Sequence, residues 1–218
     1  MEIIRYAELK AQPWRNGGGV TRELASHPAA TPAGDATVQG GWDWRVSIAE
    51  VSRAGGFSAF PGMDRVLTVI DGELLLLSVD GAEHPLEKYR PFRFSGDAAS
   101  AGALPTGDVR DLNVITRNGV FKGYTSIVEL SKKRAHPVFE GQWGILLQGQ
   151  ATVSPGTLGG TSAPGGDAPS AGPREPEPAA PVELNRYDAV VGSDTATPEI
   201  LGRGFLAVVS IDRVSGGA

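Results

Sequence analysis

Asp64-Arg65-Val66-Leu67-Thr68-Val69-Ile70, then Asp71-Gly72, then Glu73-Leu74-Leu75-Leu76-Leu77-Ser78-Val79 is the stretch on which the fold reading turns. Two runs rich in aliphatic residues flank an Asp-Gly pair. Asp and Gly tolerate the positive φ that a tight hairpin needs at its two central positions, so the spacing predicts a β-hairpin turning at Asp71-Gly72. Asp80-Gly81 follows at once and predicts a second reversal.

The same pattern extends in both directions. Trp42-Asp43-Trp44-Arg45-Val46-Ser47-Ile48 alternates strictly, which places Trp42, Trp44, Val46 and Ile48 on one face and Asp43, Arg45 and Ser47 on the other. Val109-Arg110-Asp111-Leu112-Asn113-Val114-Ile115 reads as another strand, with Asp111 and Asn113 pointing the same way, and 120–130 continues it. Trp143 to Val153 reads as a hairpin turning at Gln148-Gly149, followed later by strands at 182–191 and 205–211. Hairpin, polar-ended strand and closing strand thus recur weakly. The expectation is an all-β chain, sandwich or barrel, with few short helices and two modules, 1–130 and 131–218. Ser26 to Gly41 and Ser154 to Pro181 read as loops by composition, the second a flexible insertion that lacks enough apolar surface to offset ordering entropy.

Composition agrees. Of 218 residues, 30 are Gly and 16 Pro, about a fifth of the chain, and both are poor helix formers. Hydrophobic residues at 40% and charged residues at 21% are globular proportions. The net charge of −5 weighs against nucleic acid and acidic membrane surfaces as partners. The absence of Cys removes disulfides, thiolate metal sites and Cys nucleophiles. No apolar run approaches a membrane span, and MEIIRYAELK carries no apolar leader core, so the expected compartment is the cytoplasm.

Few residues point to chemistry. In Trp14-Arg15-Asn16-Gly17-Gly18-Gly19 the Gly triplet permits a backbone path closed to other residues, and successive N–H groups in such a turn can cradle an anion. The plainer reading is a tight loop flanked by solvated Arg15 and Arg22. Arg45 and Ser47 face either water or a lumen. The Asp64-Arg65 step is either an edge charge or a pair at a barrel mouth. Asp111 and Asn113 fit a polar ligand, a solvated stripe, or partners for buried Arg. His27, His84 and His136 each precede Pro, fall in expected loops, and have no second His at ligand spacing, which leaves no His-based metal centre or triad. Phosphate-loop and dinucleotide fingerprints are absent.

Taken in order, the motifs resemble the HutD/Ves family. The matching strings are Trp14-Arg15-Asn16-Gly17-Gly18-Gly19 with Thr21-Arg22-Glu23, Trp44-Arg45-Val46-Ser47-Ile48-Ala49, and Phe57-Ser58-Ala59-Phe60-Pro61-Gly62-Met63-Asp64-Arg65. Pro91-Phe92-Arg93-Phe94-Ser95-Gly96-Asp97 and Val109 to Val114 follow. The match covers about residues 1 to 130 densely. The resemblance implies a bicupin, two cupin-like modules in one chain. Cupins commonly hold a metal with His and Glu near the first hairpin. This chain has Asp64-Arg65 there, so the resemblance implies neither metal nor cofactor.

The family is associated with bacterial histidine utilisation, where it is proposed to bind a carboxylate intermediate such as urocanate or N-formylglutamate and to limit pathway activity. A planar guanidinium fork suits a carboxylate. The expected function is therefore non-catalytic binding of a small carboxylate in the N-terminal module. Arg45 and Arg65 are the expected charge partners, and Asn16, Asp111, Asn113 and Ser47 the orienting polar groups. Trp14 and Phe60 form an apolar wall, with Asp64, Arg15 and Arg22 as further candidates. The rival expectations are a metal-free isomerase or hydrolase with Asp64 or Asp111 as general base, and a protein-interaction module using the insertion as a tether. Analogy with cupins gives a homodimer as the expected assembly.

Overall fold

A computed structural model of the protein describes residues 1–28, 41–156 and 180–214. The strands in chain order are β1 (Glu2–Ile4), β2 (Gln12–Pro13), β3 (Gly19–Pro28), β4 (Trp42–Val51), β5 (Gly55–Gly56), β6 (Met63–Asp71), β7 (Leu74–Val79), β8 (Ala82–Glu87) and β9 (Phe92–Ser95). They continue with β10 (Ser100–Ala103), β11 (Val109–Arg117), β12 (Phe121–Leu130), β13 (His136–Pro137), β14 (Gln142–Pro155), β15 (Val182–Leu184), β16 (Ala189–Val191) and β17 (Pro198–Arg213). The one helical element among the described residues is a 3-10 turn, Tyr6–Glu8. No helix among them is long and apolar enough to cross a membrane.

The strands form three open sheets. A six-stranded sheet runs β2-β3-β4-β11-β6-β9, a four-stranded sheet β5-β10-β7-β8, and a seven-stranded sheet β1-β16-β14-β17-β12 with β13 on β17 and β15 on β14. Among the described residues no sheet closes into a barrel, so the architecture is a stack of sheets. The six-stranded sheet is buried on both faces. Val46, Ile48, Val66, Leu112 and Val114 pack against Trp143, Ile145, Ala207 and Val209 of the seven-stranded sheet. On the opposite face, Ala49, Val51, Leu67 and Val69 pack against Leu75, Leu77 and Leu86 of the four-stranded sheet.

The expected hairpin at Asp71-Gly72 is absent. β6 pairs with β11 along one edge and, over residues 64–67, with β9 on the other, and β7 lies in a different sheet. At Asp71-Gly72 the chain instead leaves one sheet and enters the next, where β7 pairs with β8 and β10. The hairpin lies at Asp80-Gly81, with Val79 opposite Ala82 and φ of 48° and 84° at the two turn residues, as a two-residue turn of that twist requires.

The expected hairpin at Gln148-Gly149 is also absent. β14 is one strand that pairs with β17 along its length, bulged between Leu146 and Gln148. Gly149 (φ 101°) lies opposite Gly204 (φ 114°), and a Cβ on either would overlap the other strand's backbone. The bulge bends the sheet, so that Ala151 and Val153 fold over Leu146, Leu206 and Val208 to make a second core. β1 and β12, both before residue 131, belong to this sheet. Arg5 ties the N-terminus to it through Asp188 at 2.6 Å.

Other local expectations change as well. Trp42 packs with Met63, Ile115 and Phe60, not with Trp44, which sits on the opposite core against Trp143. His27, His84 and His136 lie in strands, not loops. The expected loops at 26–41 and 154–181 lie mostly outside the described residues; at their described ends β3 runs to Pro28 and β14 to Pro155.

Because backbone meets backbone at the bulge with φ positive on both sides, Gly149→Ala is expected to destabilise the fold by about 2 to 4 kcal/mol. A shift of the urea unfolding midpoint to lower concentration, at unchanged slope, checks this.

Candidate functional site

The six-stranded sheet generates the site through its period-two alternation. Arg45 on β4 and Arg65 on β6 both lie opposite Ile115 on β11. In the next row Ser47 and Leu67 lie opposite Asn113, and in the third Ala49 and Val69 lie opposite Asp111. Cross-strand partners point to the same side, so these residues share one face. The four-stranded sheet covers only its Ala49–Val69 end. The uncovered end is a cavity of about 400 Å³ lined by Arg45, Ser47, Arg65, Asp111, Asn113 and, among others, the Trp14–Asn16 loop, Phe57 and Phe60.

Both guanidinium groups are held by aromatic rings. The Arg45 guanidinium carbon lies 4.9 Å from the Trp42 ring centroid and 5.6 Å from that of Phe60. For Arg65 the rings are Phe94 at 4.8 Å, Phe60 at 5.2 Å and Phe57 at 5.9 Å. Among the described residues neither Arg forms an ion pair. Arg65 donates one long hydrogen bond, from Nη1 to the Ser58 carbonyl oxygen at 3.4 Å. The Nε atoms of both Arg and Oδ1 of Asn113 are buried without a partner.

Burial shapes the charges. Arg65 is 4% exposed, Asp111 2% and Asn113 8%. Desolvation pulls the Arg65 guanidinium down to about 10; Asp111 opposes that shift and Arg45 adds to it. Desolvation also lowers Arg45, against the pull of Glu23. It pushes the Asp111 carboxyl up to about 7, with Arg65 as the counterweight.

Nine of the eleven sequence candidates line this cavity: Arg45, Arg65, Asn16, Asn113, Asp111, Ser47, Trp14, Phe60 and Arg15, the last exposed at the rim. Asp64 and Arg22 do not. Each sits one residue from a cavity-lining position, Arg65 or Thr21, and alternation turns it to the other face. There Asp64 meets Arg93 at 4.0 Å and Arg22 pairs with Glu50 and donates to the Tyr6 hydroxyl at 3.3 Å. The Gly triplet does not present an anion cradle, because Gly17 N–H is spent on the Trp14 carbonyl at 3.0 Å and Gly18 N–H on Asn16 Oδ1 at 2.9 Å. Its role is close packing: a Cβ on Gly19 would overlap the Glu50 carbonyl oxygen. Phe57, Phe94 and Trp42 were missed as ring partners. The signal for Phe94 was its register opposite Arg65, which the sequence does not reveal.

The HutD family profile matches residues 6–207. The chain belongs to the HutD family. Protein Ves of Citrobacter koseri is 33% identical over 149 residues, 67% of this chain and 72% of that protein. The structure of HutD from Pseudomonas fluorescens SBW25, in a formate condition, superposes with a TM-score of 0.68 at 26% identity, over 98% of this chain and 99% of that one. A Cupin 2 conserved barrel domain protein from Leptotrichia buccalis shares the fold, with a TM-score of 0.53 at 6% identity over 96% of this chain and 95% of that one.

Cupins imply a metal, and the residues of this HutD cavity do not fit one. Guanidinium groups offer only donors. Asp111 is the one carboxylate lining the cavity among the described residues, and these hold no group of three or more His, Cys, Asp or Glu able to bind a metal ion.

Folding favours protonated Asp111, because its folded value lies above the unfolded one. The folded state holds more protons between about pH 4 and pH 7, so this contribution to stability falls as pH rises through that window. Asp111→Asn is expected to gain stability relative to wild type from pH 5 to pH 8, read by urea unfolding at each pH.

Proposed function

We propose that this HutD-family protein binds a small organic carboxylate, of the urocanate or N-formylglutamate type, in the cavity of its N-terminal half without transforming it, and that such binding serves regulation of histidine utilisation. The observation that carries the reading is a pair of guanidinium groups, Arg45 and Arg65, turned into one cavity with no ion-pair partner among the described residues. Arg keeps its proton where a buried Lys would lose it, and Arg65 has only Asp111, whose own charge burial disfavours, to offset it, so an added anion is favoured there. Aromatic rings stack near both groups, and unpartnered Nε–H donors remain at their edges. In-plane N–H forks match a carboxylate bidentately. A volume of about 400 Å³ lies within the range of small-molecule sites.

A cytoplasmic location, a homodimer, and a division into 1–130 and 131–218 with the insertion between 154 and 181 belong to the same proposal. Asp111 favours a second reading, a metal-free isomerase or hydrolase, since a buried carboxyl near 7 is poised for proton transfer. Asp64 drops out of that reading, because it faces away from the cavity.

Calorimetric titration with urocanate, N-formylglutamate and formate tests the binding reading. At least one should bind, and Arg45→Ala and Arg65→Ala should each weaken it about 30-fold or more, the loss of about 2 kcal/mol or more typical of truncating a buried charge partner. Unchanged affinity in both variants overturns the assignment. Turnover of urocanate or N-formylglutamate that Asp111→Asn abolishes would favour the enzyme.

A further inference from the structure

The cavity holds one acid of its own. Asp111 lies on β11, two residues from Asn113 and on the same face, and is almost fully buried. Arg65 on β6 is the charged group that acts on it directly. Arg45, on β4 across β11 from Arg65, acts on Arg65, Glu23 on β3 acts on Arg45, and Arg15 sits at the rim. The facing strand β7 presents Leu75 and Leu77 to this end of the sheet. The same guanidinium that is free to receive a ligand carboxylate is thus the one that holds the Asp111 charge in a dry place.

On the binding reading above, a ligand carboxylate on Arg65 and the Asp111 carboxylate compete for one cation. Two carboxylates that share a buried site do not both stay ionised. The ligand acid is the stronger, because an ordinary carboxyl titrates at about 4, whereas desolvation holds Asp111 well above that. We propose that an organic carboxylate entering this cavity is bound together with one proton from solvent, and that the proton resides on the Asp111 carboxyl group. The protonated acid then donates where the ionised one could only repel, and buried Asn113 Oδ1, which has no donor, lies on the same face to receive it or a ligand N–H. The raised value of Asp111 in the empty protein, about 7, means that the uptake falls in the physiological range.

The sign follows from linkage. Below about pH 6 Asp111 already carries its proton in both states, so affinity is flat. Above pH 7 the free protein loses the proton and the complex keeps it, so affinity weakens by up to about tenfold per pH unit. The site thereby becomes a receptor whose occupancy falls as pH rises.

The test is calorimetric titration of the full chain with N-formylglutamate, whose carboxyl groups are ionised throughout, at pH 6, 7, 8 and 9 in buffers of different ionisation enthalpy. The dependence of heat on buffer gives protons taken up. The expected result is little uptake at pH 6, rising toward one proton per N-formylglutamate by pH 8. Asp111→Asn should abolish the uptake, flatten the pH profile, and bind at pH 8 more tightly than wild type. Binding with no buffer dependence in wild type overturns this inference and leaves the binding reading intact. Uptake that persists in Asp111→Asn overturns it too, since the proton then resides elsewhere. Should Asn not be tolerated, the wild-type proton count decides alone. Absence of any heat with N-formylglutamate, formate or urocanate at every pH overturns the binding reading, and the inference with it.

Discussion

Two guanidinium groups that line one cavity, Arg65 buried and Arg45 half-buried, and that form no ion pair among the described residues are the constraint around which the N-terminal half is arranged. A buried charge that lacks a partner costs several kcal/mol, and the fold offsets part of that cost with rings. Trp42, Phe57, Phe60 and Phe94 surround the two Arg side chains, where their faces attract a cation. Asp111 offsets a further part of the Arg65 charge. The geometry needs only a sheet whose adjacent strands put Arg45, Ile115 and Arg65 in one row and a second sheet too short to cover that row.

The other charged residues of this region make the contrast. Glu50 accepts from Arg22 and, at 3.3 Å, from Arg110. Asp71 receives Arg186 at 3.0 Å, Arg110 at 3.5 Å and Lys88 at 3.7 Å, with the Tyr187 hydroxyl at 3.3 Å. Burial alone would raise both carboxyl groups, yet the cations around them hold both below their ordinary values. This network lies on the opposite face of the six-stranded sheet, and through Arg186 and Tyr187 it links that sheet to the C-terminal half. Cations there are neutralised by the protein itself. Those in the cavity form no ion pair among the described residues, with Asp111 acting on Arg65 and Glu23 on Arg45 only at longer range, so the two faces of one sheet differ in how far their cations are neutralised.

Much of this was legible from alternation. The Arg45–Ser47 and Asp111–Asn113 pairs declared a shared face, and the ordered motifs declared the family. Which side was dry was not legible, because polar residues that alternate along β4 and β11 look alike whether they face bulk water or line a cavity. The same ambiguity hid the change of sheet at Asp71-Gly72: an Asp-Gly between two apolar runs carries no record of whether the strands pair with each other or with others. Gly149 looked like a turn because positive φ serves bulges and hairpins alike. Asp64 and Arg22 were drawn into the site by sequence adjacency, and one step of alternation removed them. The rings around Arg65 depended on long-range register, Arg65 against Phe94, which local pattern does not encode.

On the reading proposed above, the row of Arg45 and Arg65 forms a receptor for an organic anion. X-ray diffraction from crystals soaked in 4-bromobenzoate, whose aryl bromine is inert to protein nucleophiles, read at the bromine absorption edge, tests this. The expected result is a bromine peak inside the cavity, with the carboxylate oxygens within hydrogen-bonding distance of one or both guanidinium groups. Bromine peaks confined to the outer surface, with Arg45 and Arg65 turned out into water, would contradict it.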